Sequence, residues 1–224
     1  MGSAGKLQLG HTFKDPGLLE QALRHRSAGM PHNERLEFLG DSLLNCIIAQ
    51  ELYRRFPKAD EGSLTRARAE LVRGTVLAVV GQRMGIAPFL ILGSGEMKSG
   101  GHRRASINAD AVEAVIAAVF LDSDMPTVHA FVMEWWQPLL AEMPKPSKIE
   151  KDPKTRLQEL LQSRNHALPV YELVNETGPD HARTFTVQCI VAAFDVTTQA
   201  SGASRRAAEQ EAADMALKRL HERL

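Results

Sequence analysis

The sequence has few of the residues that mark the more specialised classes of protein. It contains 2 cysteines and only 5% aromatic residues, so a disulfide framework is excluded and aliphatic side chains must fill the core. Cys46 and Cys189 lie in apolar runs, which predicts buried, reduced thiols. No apolar run reaches the ~20 residues of a membrane-spanning helix, and the N-terminus lacks a secretory signal. We therefore expect a cytoplasmic protein without a membrane partner.

Charge and length set only broad limits. The net charge is zero, so bulk electrostatics favour no class of partner. With 224 residues, 44% of them hydrophobic, the chain can form one large domain or two smaller ones. The clearest boundary is the segment PKPSKIEKD, whose prolines and charges leave little to bury. We predict a domain over residues 1–143, a linker over 144–152 and a second domain over 153–224.

The periodicity of apolar residues differs between the two predicted domains. In the first domain it predicts helices over residues 18–25, 34–56, 63–84, 109–121 and 125–140. In the second domain it predicts a helix over 154–162, strands over 170–174, 184–191 and 194–198, and a helix over 205–220. The predicted fold is therefore multidomain, with an all-α domain followed by a small α+β domain of order α-β-β-β-α.

An acidic stripe runs along the second predicted helix, in HNERLEFLGDSLLN. Glu34, Glu37 and Asp41 are spaced so that they share one helical face, where their charges repel. Leucines on the same helix form an apolar stripe that points into a core. An uncompensated carboxylate near a core costs several kcal/mol. The pattern therefore requires something that compensates Asp41.

A second acidic pair, Asp110 and Glu113, occurs in the apolar segment NADAVEAVIAAVF. Asn33 and Asn108 could each be an N-cap, and the helix dipole would then stabilise the acids in the first turn that follows. Asp41 lies two turns inside its helix, so this explanation does not apply to it. A divalent cation held between the two helices would explain all these acids, because hard cations take oxygen ligands. The residues alone leave both interpretations open. They show no Cys or His metal spacing and no glycine-rich phosphate loop.

The segment NERLEFLGDS closely resembles the signature of the ribonuclease III family, endonucleases that cleave double-stranded RNA. DEGSLTRARAELV, KSGGHRR and NADAVEAVIAAVFLDSD match the family in order and spacing, and residues 153–224 resemble a double-stranded-RNA-binding domain. The resemblance implies an all-α endonuclease domain before that binding domain. It also implies hydrolysis that leaves 5′-phosphate and 3′-hydroxyl ends, in the processing of rRNA precursors and of some mRNA and tRNA precursors.

The resemblance also implies roles for individual residues. It implies Mg²⁺, with Mn²⁺ as a substitute and no small-molecule cofactor, bound by Glu37, Asp41, Asp110 and Glu113. Asp41 and Glu113 would be the catalytic residues. Glu34 and Glu61 resemble supporting acids, with weaker claims. The family further implies a homodimer that makes one cut per strand, in which Phe38 inserts into the partner subunit.

The predicted RNA-binding residues belong to the second domain, where acidic and basic residues are equal in number. Ser204, Arg205 and Arg206 open the last helix, where free N–H groups and two cations can meet phosphates; a solvated helix start is the alternative. The resemblance implies that Gln158 and Gln162 face one minor groove of duplex RNA and that the turn ending at His181 enters the next. The family often has a basic residue where this sequence has Ala207, which predicts weaker phosphate binding.

Two other functions fit parts of the sequence. An RNA-binding regulator whose acidic domain only dimerises would need no acidic cleft, yet the four main acids are intact. A metal hydrolase of small phosphates would have no use for the second domain. The leading prediction is therefore an endonuclease of double-stranded RNA.

Overall fold

The computed structural model describes residue 7 and residues 9–148, 151–179 and 182–222. The chain divides into two compact units, residues 1–149 and 150–224, and each unit has its own hydrophobic core. The predicted domain limits at residues 143 and 153 stay a prediction. None of the described helices combines the length and the apolarity needed to cross a membrane.

The first unit is helical, as predicted. Its helices are α1 (Pro16–Leu23), α2 (Glu34–Arg55), α3 (Glu61–Val72), α4 (Gly74–Met84), α5 (Ser94–Lys98), α6 (Ala105–Asp122) and α7 (Met125–Glu142). The prediction of one helix over 63–84 is wrong. Arg73 has extended backbone angles, φ −64° and ψ 148°, which end α3 and start α4 in a new direction.

Helix α6 is the centre of the first core. Its alanines and valines are almost all buried, and their small size lets α2 and α4 pack closely on it. It begins at Ala105, so Asn108 is inside the helix and its Nδ2 donates to the carbonyls of His102 and Arg104, both at 3.0 Å. Asp110 and Glu113 thus lie beyond the first turn, where the dipole has little effect. The capping explanation for these two acids is wrong.

Asp122, the last residue of α6, forms hydrogen bonds with the segment that precedes α1. The Asp122 carboxylate accepts the backbone N–H groups of Asp15, at 2.9 Å, and of Lys14, at 3.0 and 3.1 Å. The Nε2 atom of His11 lies 2.9 Å from the same carboxylate. The N–H groups of Asp15 and Lys14 are the main reason that the pKa of Asp122 falls to about 2.

The second unit has the predicted order of elements. They are α8 (Pro153–Ser163), β1 (Val170–Thr177), β2 (Thr184–Val191), β3 (Val196–Gly202) and α9 (Arg205–His221). The strands form an antiparallel sheet in the order β1-β2-β3. Strand β3 starts after Phe194, because residues 192–194 form a 3₁₀ turn and Asp195 adopts a left-handed conformation, φ 49°.

Alanines of α9 allow this helix to pack closely on the sheet. Ala212, Ala213 and Ala216 are fully buried, and the Thr198 hydroxyl donates to the Ala212 carbonyl at 2.7 Å. The buried thiol predicted for Cys189 is confirmed. The prediction for Cys46 is wrong, because its position on α2 faces away from the core and leaves the side chain exposed.

Candidate active site and nucleic-acid interface

Helices α2 and α6 touch backbone to backbone at Gly40. A Cβ atom added to Gly40 would lie 1.8 Å from the carbonyl oxygen of Glu113, a distance at which no two such atoms can coexist. Glu37 lies one turn before Gly40 and Asp41 one residue after it, so the contact brings both acids beside Glu113. The absence of a side chain at position 40 therefore assembles the acids.

The acids line two adjoining surface depressions. The first, of about 540 Å³, is lined by Glu34, Glu37, Phe38, Asp41 and Glu113. The second, of about 500 Å³, shares Glu34 and Glu37 with the first and adds Asp110. The structure thus gathers the four acids that the sequence singled out, with Glu34 beside them.

Three carboxyl groups of this cluster, those of Glu37, Asp110 and Glu113, have raised pKa values. Burial is the main cause that raises the pKa of the Glu113 carboxyl to about 8, and repulsion from Asp41 and Glu37 adds to it. Burial, followed by the charge of Asp110, also raises the pKa of Glu37. Burial raises the pKa of Asp110 even though cations nearby oppose the shift. Raised pKa values that arise from like charges and burial mark a site that a cation would stabilise.

Asp41 differs from the acid that the sequence predicted. The argument from sequence placed it near the core, whereas its side chain is exposed. The Nδ2 atom of Asn45, one turn later, donates to the Asp41 carboxylate and to the Asp41 carbonyl, both at 2.9 Å. Asp41 is therefore oriented by Asn45 at the surface, and Glu113 is the acid for which burial is unfavourable.

Cations border the second depression. Arg26 lies with its Nη1 atom 3.4 Å from the Glu34 carboxylate, and Arg104 pairs with Glu96 at 2.9 Å. His25 lines the same depression. The acidic cluster thus has a basic rim on one side, a suitable place for the phosphates of a polyanion.

A divalent cation fits this set of side chains. The donors are carboxylate oxygens, the ligands that hard cations prefer, and a cation would offset their repulsion. Within the described part of the chain, no three His, Cys, Asp or Glu side chains are gathered as a complete ligand group for one ion. That arrangement suits a small hydrated cation, which keeps several waters and needs only one or two protein carboxylates besides substrate phosphates.

Of two further predicted residues, Phe38 lies at the acidic cluster and Glu61 does not. Glu61, the first residue of α3, lines a different depression with Tyr53 and Leu64, and its carboxylate accepts the Thr65 hydroxyl at 2.8 Å. The protomer therefore does not bring Glu61 to the acidic cluster. Phe38 does lie at the cluster, with 78% of its surface exposed. Because the ring is exposed, Phe38 does not belong to the hydrophobic core of the protomer.

The predicted RNA-binding residues of the second unit lie at its surface, apart from one that is not described. Gln158 and Gln162 are exposed one turn apart on α8. Ser204 caps α9, since its Oγ accepts the Ala207 N–H at 3.1 Å. His181 lies outside the described residues. The two glutamines thus present neutral hydrogen-bonding groups along one edge of α8.

The two arginines at the start of α9 have different surroundings. The Nε atom of Arg205 donates to the Glu209 carboxylate at 2.9 Å, so its charge is already partly satisfied. Arg206 is exposed, and no described carboxylate lies within ion-pair distance of it. The sequence predicted the same role for both arginines, but in the structure only Arg205 is paired with Glu209.

Sequence reasoning missed Gly40, Asn45 and Arg26. A glycine in the interior of a helix was a usable signal, because it often marks a close approach of another backbone. Asn45 is one turn from Asp41, a spacing at which side chains interact. Nothing in the sequence indicated Arg26, which reaches the acids only through the folding of the segment between α1 and α2.

The comparisons with known proteins agree with this arrangement. Residues 15–139 match the family described as ribonuclease-III-like, and residues 153–220 match the double-stranded RNA binding motif. The chain is 57% identical over 213 residues to Ribonuclease 3 of Xylella fastidiosa strain M23, covering 95% of this chain and 93% of that protein. It is 55% identical over 213 residues to Ribonuclease 3 of Vibrio cholerae, covering 95% and 94%.

A solved structure matches the helical unit. The nuclease domain of ribonuclease III from Campylobacter jejuni superposes with a TM-score of 0.60 at 32% identity, covering 64% of this chain and 100% of that chain. The sequence matches cover both units, and the solved structure covers the helical unit. The chain belongs to the ribonuclease III family, the endonucleases that cleave double-stranded RNA and depend on a divalent metal ion.

Proposed function

We propose that the protein hydrolyses phosphodiester bonds of double-stranded RNA in a Mg²⁺-dependent reaction that leaves 5′-phosphate and 3′-hydroxyl ends. The observation that carries this proposal is the contact of Gly40 with Glu113, which gathers carboxylates around one depression. A surface of like-charged carboxylates repels an RNA phosphate. Such a surface can accept its substrate only when cations lie between the two.

The four acids have distinct parts in this proposal. Glu37, Asp41, Asp110 and Glu113 would hold Mg²⁺, in part through the waters that the ion keeps, and Mn²⁺ would substitute for it. Bound there, the ion supplies an activated water and stabilises charge on the phosphoryl group. Asp41, which Asn45 orients, would be one of its ligands. The Glu113 carboxyl has a pKa of about 8 without a metal ion, and a bound cation would lower that pKa and keep the group ionised as a ligand.

We extend the proposal to a homodimer that cuts both strands. Phe38 is 78% exposed beside the acids, and we assign it to insertion into the partner subunit. Burial of such a ring stabilises an interface by about 2–3 kcal/mol. The nuclease domain from Campylobacter jejuni has a region involved in dimer formation. Glu34 is a supporting acid at the cluster, and Glu61 would act in the assembled dimer.

The second unit supplies the affinity for duplex RNA. Gln158 and Gln162 would contact one minor groove, His181 the next, and Ser204, Arg205 and Arg206 the phosphates between them. The neutral side chains of α8 recognise the shape of the groove, whereas the arginines supply charge. These assignments are supported by the exposure of the described residues and by the match to the double-stranded RNA binding motif.

The physiological substrates follow from the family alone. We propose that the protein acts in the cytoplasm on precursors of rRNA, and on some precursors of mRNA and tRNA. Residues 1–143 would form the catalytic and dimerisation domain, 144–152 the linker and 153–224 the RNA-binding domain. Both units would contribute to this activity, since one holds the acids and the other supplies most of the affinity for RNA.

The test is incubation of the full chain with a long RNA duplex, with and without Mg²⁺, followed by sequencing of the ends. We expect cleavage of both strands with Mg²⁺ only, and 5′-phosphate ends. Binding without cleavage in either condition would favour an RNA-binding regulator instead. Hydrolysis of nucleotides but not of the duplex would favour a hydrolase of small phosphates.

A further inference from the structure

A carboxylate beside the proposed RNA-binding surface holds Arg205 together with a second cation, Lys154. Glu209 lies on α9, one turn after Arg205. Its Oε1 accepts the Arg205 Nε at 2.9 Å, and its Oε2 accepts the Nζ of Lys154, from α8, at 2.6 Å. The Glu209 side chain is 13% exposed, against 58% for Arg205 and 34% for Lys154. The acid therefore lies behind the two cations that it joins.

The surroundings keep Glu209 charged. Its hydrogen bond with Lys154, and then that with Arg205, hold the pKa of Glu209 below its usual value. Lys154 is held a second time, since its Nζ lies 4.4 Å from the centroid of the Tyr171 ring. The carboxylate and its two partners are thus a fixed group that links α8 to α9 where the proposed RNA contacts begin.

We propose that Glu209 is an internal counter-ion that limits the affinity of this domain for duplex RNA. It would do so in two ways. Arg205 and Lys154 must share or give up the carboxylate before they engage phosphates, and the carboxylate itself repels those phosphates. The inference rests on the proposed function, because it requires that Arg205 faces the RNA backbone.

The neighbouring arginine provides an internal comparison. Arg206 is exposed and has no ion pair to a described carboxylate, although its charge attracts Asp152 at longer range. Two arginines adjacent in sequence therefore differ in the one respect that the proposal concerns. Glu209 therefore limits the contribution of Arg205 and Lys154 to RNA binding and does not pair with Arg206.

The test compares two isosteric substitutions in the full chain. Glu209→Gln removes the counter-ion, and Glu211→Gln removes the same charge from an exposed position on the same helix that makes no ion pair with Arg205 or Lys154. Equilibrium binding to a blunt RNA duplex is measured against salt, with a chelator present to prevent cleavage. We expect Glu209→Gln to bind about three- to tenfold more tightly, with a salt slope steeper by about one unit. Glu211→Gln should change affinity less than about twofold.

Two further variants show whether Glu209 acts through its partners. When Arg205→Ala is already present, adding Glu209→Gln should raise affinity by less than half as much on a logarithmic scale. Glu209→Asp keeps the charge but is one methylene too short to reach both cations, so we expect an intermediate gain. This variant also tests the proposal if the glutamine variant fails to fold.

The outcomes separate this inference from the proposed function. Equal effects of Glu209→Gln and Glu211→Gln would overturn the inference, and so would weaker binding by Glu209→Gln with unchanged thermal unfolding. In the second case Glu209 would position its cations instead of restraining them. If the unaltered chain failed to bind duplex RNA at all, the proposed function itself would be wrong.

Discussion

Two carboxylates on helix α6 have opposite electrostatic surroundings. Asp122, at the C-terminal end, is 8% exposed, yet backbone N–H groups lower its pKa to about 2. Glu113, in the middle of the helix, is less completely buried, but burial and neighbouring acids raise its pKa to about 8. No hydrogen bond from a described residue reaches the Glu113 carboxylate. Burial raises both pKa values, but at Asp122 the backbone N–H donors outweigh it, whereas at Glu113 no described donor opposes it.

This comparison distinguishes a structural acid from an acid that needs a ligand. The fold itself satisfies Asp122, through the chain segment that precedes α1. The fold gathers Glu113 with other acids and provides no donor, so a bound cation would complete that site. Glu209, in the second unit, is a third case, since its partners are two cations of the same chain.

The largest expected effect comes from removing one acid of the cluster. Asp41→Ala should lower the rate of duplex cleavage in Mg²⁺ by about a thousandfold, because the contribution of a metal ion to transition-state stabilisation is several kcal/mol. Duplex binding in Ca²⁺ should stay within about twofold, since the second unit holds the RNA. The control is Glu70→Ala, which removes an exposed acid that pairs with Arg73 and lies outside both depressions. Cleavage at the unaltered rate by Asp41→Ala would disprove the site assignment.

The second largest effect should come from the contact that assembles the acids. Gly40→Ala places a methyl group against the Glu113 carbonyl, so we expect a loss of about 3 kcal/mol in the free energy of unfolding, with loss of cleavage. The matched control is Gly74→Ala, where an added Cβ has no atom within 4 Å and stability should be unchanged or slightly higher. Denaturant unfolding of both variants measures the difference. Equal stabilities would show that α2 and α6 do not depend on close approach at Gly40.

The sequence predicted the acidic face of α2 because helical spacing determines which side chains share a face. It did not predict how that face meets α6, since the contact depends on a tertiary approach at Gly40. The start of α6 was misplaced for a related reason: Arg104, its N-cap, makes no side-chain cap, so the capping rule pointed to Asn108. The break at Arg73 also lacked a local signal, because arginine and glycine are both tolerated inside helices.

In the second unit too, the features that depend on local spacing were predicted, and those that depend on the folded conformation were not. Strand β2 was predicted with its observed limits, because alternation continues along its whole length. Strand β3 was placed two residues early, since the apolar Phe194 belongs to a turn that only the conformation of Asp195 reveals. The difference between Arg205 and Arg206 depends on Glu209, one turn away from Arg205, and spacing of i, i+4 was a usable signal for it.

The contrast along α6 predicts stability changes of opposite sign in metal-free protein. The Glu113 carboxyl has a raised pKa, so its contribution to stability is present below about pH 4.5 and is lost as the pH rises through about 8. Glu113→Gln removes that loss, and we expect its melting temperature at pH 8 to exceed that of the unaltered chain by about 2 °C or more. The two proteins should converge near pH 5.

Asp122→Asn should do the reverse. The lowered pKa of Asp122 means that its contribution is present above about pH 3.8 and is lost as the pH falls towards about 2. The variant should therefore be less stable at neutral pH, and the difference should shrink below pH 4. Thermal unfolding of both variants across pH, with a chelator present, measures the contrast. If both substitutions shifted the melting temperature at pH 8 in the same direction, the two acids would not differ in their effect on stability.

The smallest expected effect concerns the salt dependence of RNA binding. Each protein cation that contacts a phosphate steepens the plot of log affinity against log salt by nearly one unit. Arg206 makes no ion pair with a described carboxylate, whereas Arg205 shares its charge with Glu209. Arg206→Ala should therefore make the slope shallower by about one unit, and Arg205→Ala by about half as much. Because both side chains are assigned to the backbone, the loss of affinity should be nearly uniform across duplex sequences. Gln158→Ala is the control, since a neutral side chain lowers affinity with little change of slope. An equal change of slope in the two arginine variants would mean that breaking the ion pair between Arg205 and Glu209 does not weaken RNA binding measurably.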